Sequence, residues 1–304
     1  KNINLVGVTW TLGVASGGGG LSGPAGNMAN VNISGGSVSM TYPGSVTKGN
    51  TGAMVNVISG HTGTLTFTGT LSATNGTGLQ FDNADGTYNF NGTTTLNGGD
   101  AGVDILNGSG GTFTFGTGTT ITNPSGNAFV INASNANATY SGSISDSDDF
   151  AIDIDNHDAG TVTFQTGTLT SSGASAQGIR VQNSNGGTIS FNSPTKTLNT
   201  ATNVAVTLSS NTGGTMNFGS GGLDIDTTTG AGFSATGGGT VNVTGANNTI
   251  DSISATALNV TSTTIGGSDL NFVRISSGNN TAAADPVNGI VLNTTGSSGG
   301  LTVA

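Results

Sequence analysis

The sequence contains no cysteine and no glutamate, and only 7% of its 304 residues are charged. Without cysteine there are no disulfides and no thiolate metal sites, and an exported bacterial chain avoids unpaired thiols this way. All 15 acidic residues are therefore Asp, and the five basic ones are Lys1, Lys48, Lys196, Arg180 and Arg274, for a formal net charge of −10. Phosphate backbones are held by clustered Lys and Arg, so nucleic acid is not expected as a partner. An anionic membrane surface is not expected either, on the same ground. No apolar run approaches the ~18 residues of a membrane helix, so no membrane insertion is expected. Aromatics make up only 5%, too few for an ordinary globular core.

What is abundant is Gly, 54 of 304 residues, with Thr, Ser and Asn. Helix formers are nearly gone, and strand and turn formers remain. Disorder would go with high charge and no apolar pattern, whereas here the apolar residues recur on a schedule. A Gly-Thr-x-Thr/Asn-Phe block begins at Gly63, Gly86, Gly111, Gly160, Gly187 and Gly214, with degenerate copies at Asn137 and Gly239. Successive starts differ by 23 to 27 residues. A second block, a small residue followed by apolar–x–apolar and often Asn, appears as Gly78–Asn83, Gly102–Asn107 and Gly178–Asn183. Between them lies a third short strand centred on Leu71, Leu96, Ile121, Ile144, Leu169, Leu198, Leu223 and Ile250.

Three short alternating strands per 23–27 residues, separated by Gly/Asn/Ser corners, predict an all-β, single-stranded parallel β-helix, or β-solenoid, expected to be right-handed. Residues 1–304 are expected to form one continuous β-helix of ten to twelve coils. Equivalent strands would pair ~4.8 Å apart along the axis. One inner column would hold Phe67, Phe90, Phe115, Tyr140, Phe164, Phe191 and Phe218, and another the Leu/Ile series. Asn83, Asn107, Asn156 and Asn183 would form an amide ladder at one corner. Longer corner loops are expected beyond residue 250. Trp10, the sole Trp, is expected either to cover the first coil or to pack in the core. The opening residues already alternate (Ile3, Leu5), and Gly300–Ala304 resembles the start of another strand. A mature or excised segment of a longer solenoid is expected, or a unit that self-associates end to end.

These Gly-Thr-x-Thr-Phe and Gly-apolar-x-apolar-x-Asn blocks, over roughly residues 30–295, resemble the β-helical repeat regions of large bacterial surface proteins, such as autotransporter passengers and filamentous-haemagglutinin-like adhesins. The resemblance implies export, a stalk or adhesive role at the extracellular face of a bacterial cell, and no cofactor. A surface glycan or another cell-surface ligand is the partner it implies. A head-to-tail filament subunit is the alternative reading.

The main charge cluster holds Asp146, Asp148, Asp149, Asp153, Asp155 and Asp158 within thirteen residues. With Ile152 and Ile154 pointing in, Asp153 and Asp155 point out, and Arg180 falls one coil on in the column of Asp153. Asp148, Asp149, Asp153 and Asp155 are candidate Ca²⁺ ligands, or else a solvated acidic strip partly neutralised by Arg180. Asp153, Asp155 and Arg180 are also the best candidates for polysaccharide cleavage, although no enzyme is expected, because loops able to wall a groove are missing. His61 and His157 are read as exposed corner residues too far apart to share a site. Thr64/Thr66, Thr112/Thr114, Thr161/Thr163 and Thr188/Ser190 form outward Thr-x-Thr rows like those of ice-binding solenoids. Asn89, Asn217 and Asn242 interrupt them, and Thr is in any case a good solvent-facing strand residue.

Overall fold

Gly63, Gly86 and Gly111 explain why the repeat opens on glycine. A Cβ on Gly86 would lie 2.1 Å from the Gly63 carbonyl oxygen, and one on Gly111 would lie 2.5 Å from that of Gly86. Successive corners stack backbone on backbone there, and any side chain would push the coils apart. The Thr that follows opens a short strand, and the Phe that closes it turns inward.

The computed structural model describes residues 2–15, 19–23, 26–279 and 285–304, so Lys1 lies outside the described residues. All regular elements among them are β-strands, and no helix is long and apolar enough to cross a membrane. Three strands make one coil, as in Gly78–Ala84, Thr87–Phe90 and Thr94–Asn97, or Gly178–Gln182, Thr188–Asn192 and Thr195–Ala201. Each strand pairs in parallel with its equivalents in neighbouring coils, which generates three parallel sheets. The fold is thus the expected all-β solenoid. It divides into two compact units, Lys1–Ser143 and Ile144–Ala304.

In the first unit the second sheet runs from Thr11–Leu12 to Asn137–Tyr140. Its inner column is Tyr42, Phe67, Phe90, Phe115 and Tyr140, in unbroken register and buried. The Phe67, Phe90 and Phe115 rings stack with centroids 5.1 and 5.3 Å apart. In the second unit Phe164, Phe191 and Phe218 do the same at 5.6 and 4.6 Å. The predicted aromatic column is therefore present in each unit.

The predicted single Leu/Ile column is two columns. In the third sheet Leu71 pairs with Thr94, while Leu96 pairs with Ala73 and Ile121. In the second unit Ile144 and Leu169 align with Lys196 and Leu223, whereas Leu198 aligns with Ser171 and Ile225. Both positions point inward because they are two residues apart on one strand. Between the apolar members stand buried Lys48, Thr94, Thr119, Asp146, Ser171 and Lys196.

The corner after each first-sheet strand is left-handed. Asn83, Asn107, Asn156 and Asn183 have φ of 50° to 56°, and Ser59, Ala133, Ser210, Ser262 and several Gly occupy the same place with positive φ. Asn is favoured here because it tolerates this backbone. Its amides do not bond to one another as expected, since the Asn107 and Asn183 Nδ2 groups donate to Asp82 and Asp155 one coil earlier, at 3.1 and 2.9 Å. Trp10 is not a core residue, being 57% exposed. Beyond residue 250 the strand Thr264–Phe272 breaks register against its neighbour, between the partners of Val241 and Val243. The corner between Ser277 and Ile290 is long, and residues 280–284 within it lie outside the described residues.

Candidate functional site

Alternation along Phe150–Asp155 turns Ile152 and Ile154 inward and Asp153 outward, where Arg180 pairs with it in register. The guanidinium is bidentate: Nε donates to Oδ1 at 2.8 Å and a terminal nitrogen to Oδ2 at 2.7 Å. It also lies 4.2 Å from the centre of the Phe150 ring. The Asp153 carboxylate beside it raises the Arg180 pKa further, and the fork geometry fixes the pair. Asp155 accepts from Gln182 Nε2 and Asn183 Nδ2, both at 2.9 Å, and Asp149 accepts from Gln177 Nε2 at 2.7 Å.

Asp148 and Asp149 sit in the corner and Asp153 and Asp155 on the strand, so the four candidate ligands do not converge. Among the described residues no group of three or more His, Cys, Asp or Glu side chains could hold a metal ion. Asp146 faces inward, 1% exposed, where burial chiefly pushes its pKa up to about 6. Its Oδ1 accepts the Asp148 backbone N–H, and its Oδ2 has no hydrogen-bond partner.

The two histidines are buried, not exposed corner residues. His61 Nε2 donates to the Val38 carbonyl oxygen at 2.9 Å, and Nδ1 lies 3.1 Å from the Tyr88 hydroxyl, which itself donates to the His61 carbonyl at 2.9 Å. Burial lowers its pKa, consistent with a neutral ring. The corner interior has room for a ring because the stacked glycines bring no side chains of their own. His157 is likewise fully buried.

Outward Thr rows are real. Ser39, Thr64, Thr87, Thr112 and Asn137 share one column in the first unit, with Thr41, Thr66, Asn89, Thr114 and Thr139 two residues along. In the second unit Thr161, Thr188, Thr215 and Thr240 align beside Thr163, Ser190, Asn217 and Asn242. The Asn interruptions bond along the column: Asn89 Nδ2 donates to Thr66 Oγ1 at 3.3 Å and Asn242 Nδ2 to Asn217 Oδ1 at 2.9 Å.

A second outward ladder was not foreseen. On the first sheet of the first unit Asn4, Asn32, Asn56 and Gln80 occupy one register position in successive strands. Asn32 Nδ2 donates to Asn4 Oδ1 at 2.8 Å, and Asn56 Nδ2 donates to Asn32 Oδ1 at 2.7 Å. Gln80 Nε2 donates to the Thr77 carbonyl at 2.5 Å and to Asp104 Oδ2. These amides floor a cleft of about 510 Å³, walled by the corner residues Asn27, Met28 and Ala29 and by Ala53 and Thr77. The signal was in the sequence, as the middle residue of each apolar–x–apolar triplet.

The interior holds a site of another kind. Lys196 is fully buried, and its Nζ donates to the carbonyls of Ser193, Gly219 and Gly221 at 2.6, 2.9 and 2.7 Å. Burial pushes its pKa down to about 8, so the ammonium persists at pH 7. Lys48 is buried likewise and donates to the Met28 carbonyl at 2.6 Å. Both lysines serve the packing of the coil and are closed to any ligand.

Comparison of the chain with family models, with curated protein sequences and with solved structures finds no match.

Proposed function

We propose that the chain is a non-catalytic structural and adhesive module of a bacterial surface protein, working outside the cell. The observation that carries this reading is the in-register display of uncharged polar side chains. The paired Thr/Ser/Asn columns of the second sheet repeat one outward surface coil after coil. Such a surface is built for many weak, repeated contacts, and the interior beneath it is filled with stacked rings. The absence of Cys and the scarcity of Lys and Arg suit an exported chain with few cleavage points for trypsin-like proteases.

The test is direct. Beads coated with the purified chain are washed over bacterial and epithelial cell layers, and retention is compared with albumin-coated beads. The expected result is stronger retention of the coated beads. Equal retention on every surface would remove the adhesive reading.

A further inference from the structure

The described residues lining the first-unit cleft include no charged side chain, and five amide-bearing residues among them (Asn2, Asn4, Asn32, Asn56 and Gln80) come from first-sheet strands or their edge. A lining of uncharged amides offers ions little. It suits a ligand that is neutral and rich in hydroxyl groups.

Each carboxamide has two N–H donors and an oxygen with two lone pairs. Along the ladder Asn32 uses one donor toward Asn4 and one lone pair toward Asn56. One donor and one lone pair of Asn32 remain for the cleft. The ladder bonds hold the amide planes in place before any ligand arrives, which lowers the ordering cost of binding. Met28, 57% exposed, and Ala29 supply an apolar edge for the C–H face of a sugar ring. Coil spacing of ~4.8 Å sets the repeat of the ladder, and this is close to the rise of one residue in an extended β-1,4-linked hexose chain.

We propose that the cleft binds a neutral oligosaccharide laid along the ladder, one sugar for each amide rung. The proposal deepens the adhesive reading and rests on it for its biological sense, though its chemistry can be tested alone.

Calorimetric titration of the full chain with cellotetraose and chitotetraose is the experiment, with oligogalacturonate as the anionic comparator. Saturable binding of at least one neutral sugar is expected. Asn32→Leu/Asn56→Leu should weaken it by roughly tenfold or more, as expected for the loss of two or so hydrogen bonds. Thr77→Trp fills the cleft and leaves the ladder intact, so it should abolish binding even if the double variant folds poorly. Ser234→Ala, on the first sheet of the second unit, should leave binding unchanged. The proposal is overturned if no neutral sugar binds at millimolar concentration, if the anionic sugar is preferred, or if the Thr77 variant binds as well as the parent. The bead assay separates the two readings. Beads that adhere equally well with and without Thr77→Trp, while the soluble chain binds no neutral sugar, sink the cleft and spare the adhesive role. Sugar binding at the cleft with no bead retention does the reverse.

Discussion

The interior faces of the second and third sheets contrast within each unit. On the second sheet every inward position of the aromatic column is apolar or Tyr, ring upon ring. The third sheet carries buried Lys, Asp, Thr and Ser among its Leu and Ile. Its polar residues sit at or near strand ends: Lys48 and Asp146 close Val46–Lys48 and Ser143–Asp146, Thr94 and Thr119 open theirs, and Lys196 is second in Thr195–Ala201. Strand ends adjoin corners, where backbone carbonyls have left the ladder and need donors, and Lys48 and Lys196 supply them there. The Thr94 and Thr119 hydroxyls and Asp146 Oδ2 have no hydrogen-bond partner, so the lysines alone have this reason for their place. A residue in mid-strand, with rings above and below, meets only apolar atoms.

The largest test of this contrast is Phe191→Ala. Phe191 is fully buried between Phe164 and Phe218. Its truncation should lower unfolding free energy by about 3–5 kcal/mol, read by denaturant titration. A loss below about 1 kcal/mol would mean that the column can collapse around the void. Next comes Lys196→Met, which keeps the stem but leaves three carbonyls without their donor. The expected loss is about 2–4 kcal/mol, and an unchanged midpoint would show that water can replace the ammonium.

Asp146 should behave in the opposite sense. Its folded pKa of about 6 stands above the ordinary carboxylate value of 3.8, so the folded state binds the extra proton between those values. Stability from this group is present at low pH and lost as pH rises through about 6. Asp146→Asn should therefore stabilise the protein at pH 7, on the order of 1–2 kcal/mol, with the gain vanishing at acid pH. Destabilisation at pH 7 would show that the carboxylate has a compensating partner.

The coil period, the aromatic column and the Asp153–Arg180 pair could be read from the sequence because each depends on strand alternation and a fixed repeat. The third sheet could not. Leu71 lies four residues after Phe67 and Leu96 six after Phe90, and because Thr94 takes the inward place across from Leu71, the apolar residues alone read as one column where there are two. A polar residue at an inward position erases the alternation that reveals a column. The buried histidines escape a sequence reading for a related reason, since a solenoid corner lined by glycine has an interior that no apolar residue advertises. The carboxamide ladder lay in plain sight as the x of each triplet, but only coil-to-coil register turns separate amides into one row. The acidic cluster shows the reverse: six Asp close in sequence are dispersed by geometry to the strand face, the corner and the interior.

The left-handed corner after each first-sheet strand has a consequence for how such a chain can change length. The turn closes each first-sheet strand on a positive φ, accepting Asn, Ser, Ala, Thr or Gly, while the variation of the coil period between 23 and 27 residues is absorbed elsewhere in the coil. A whole coil is then a module that gene duplication can insert or delete at such a corner without shifting the register of its neighbours, because each coil touches only those beside it. Lineages could tune the reach of the displayed surface by copy number, one coil at a time, with no new fold to discover.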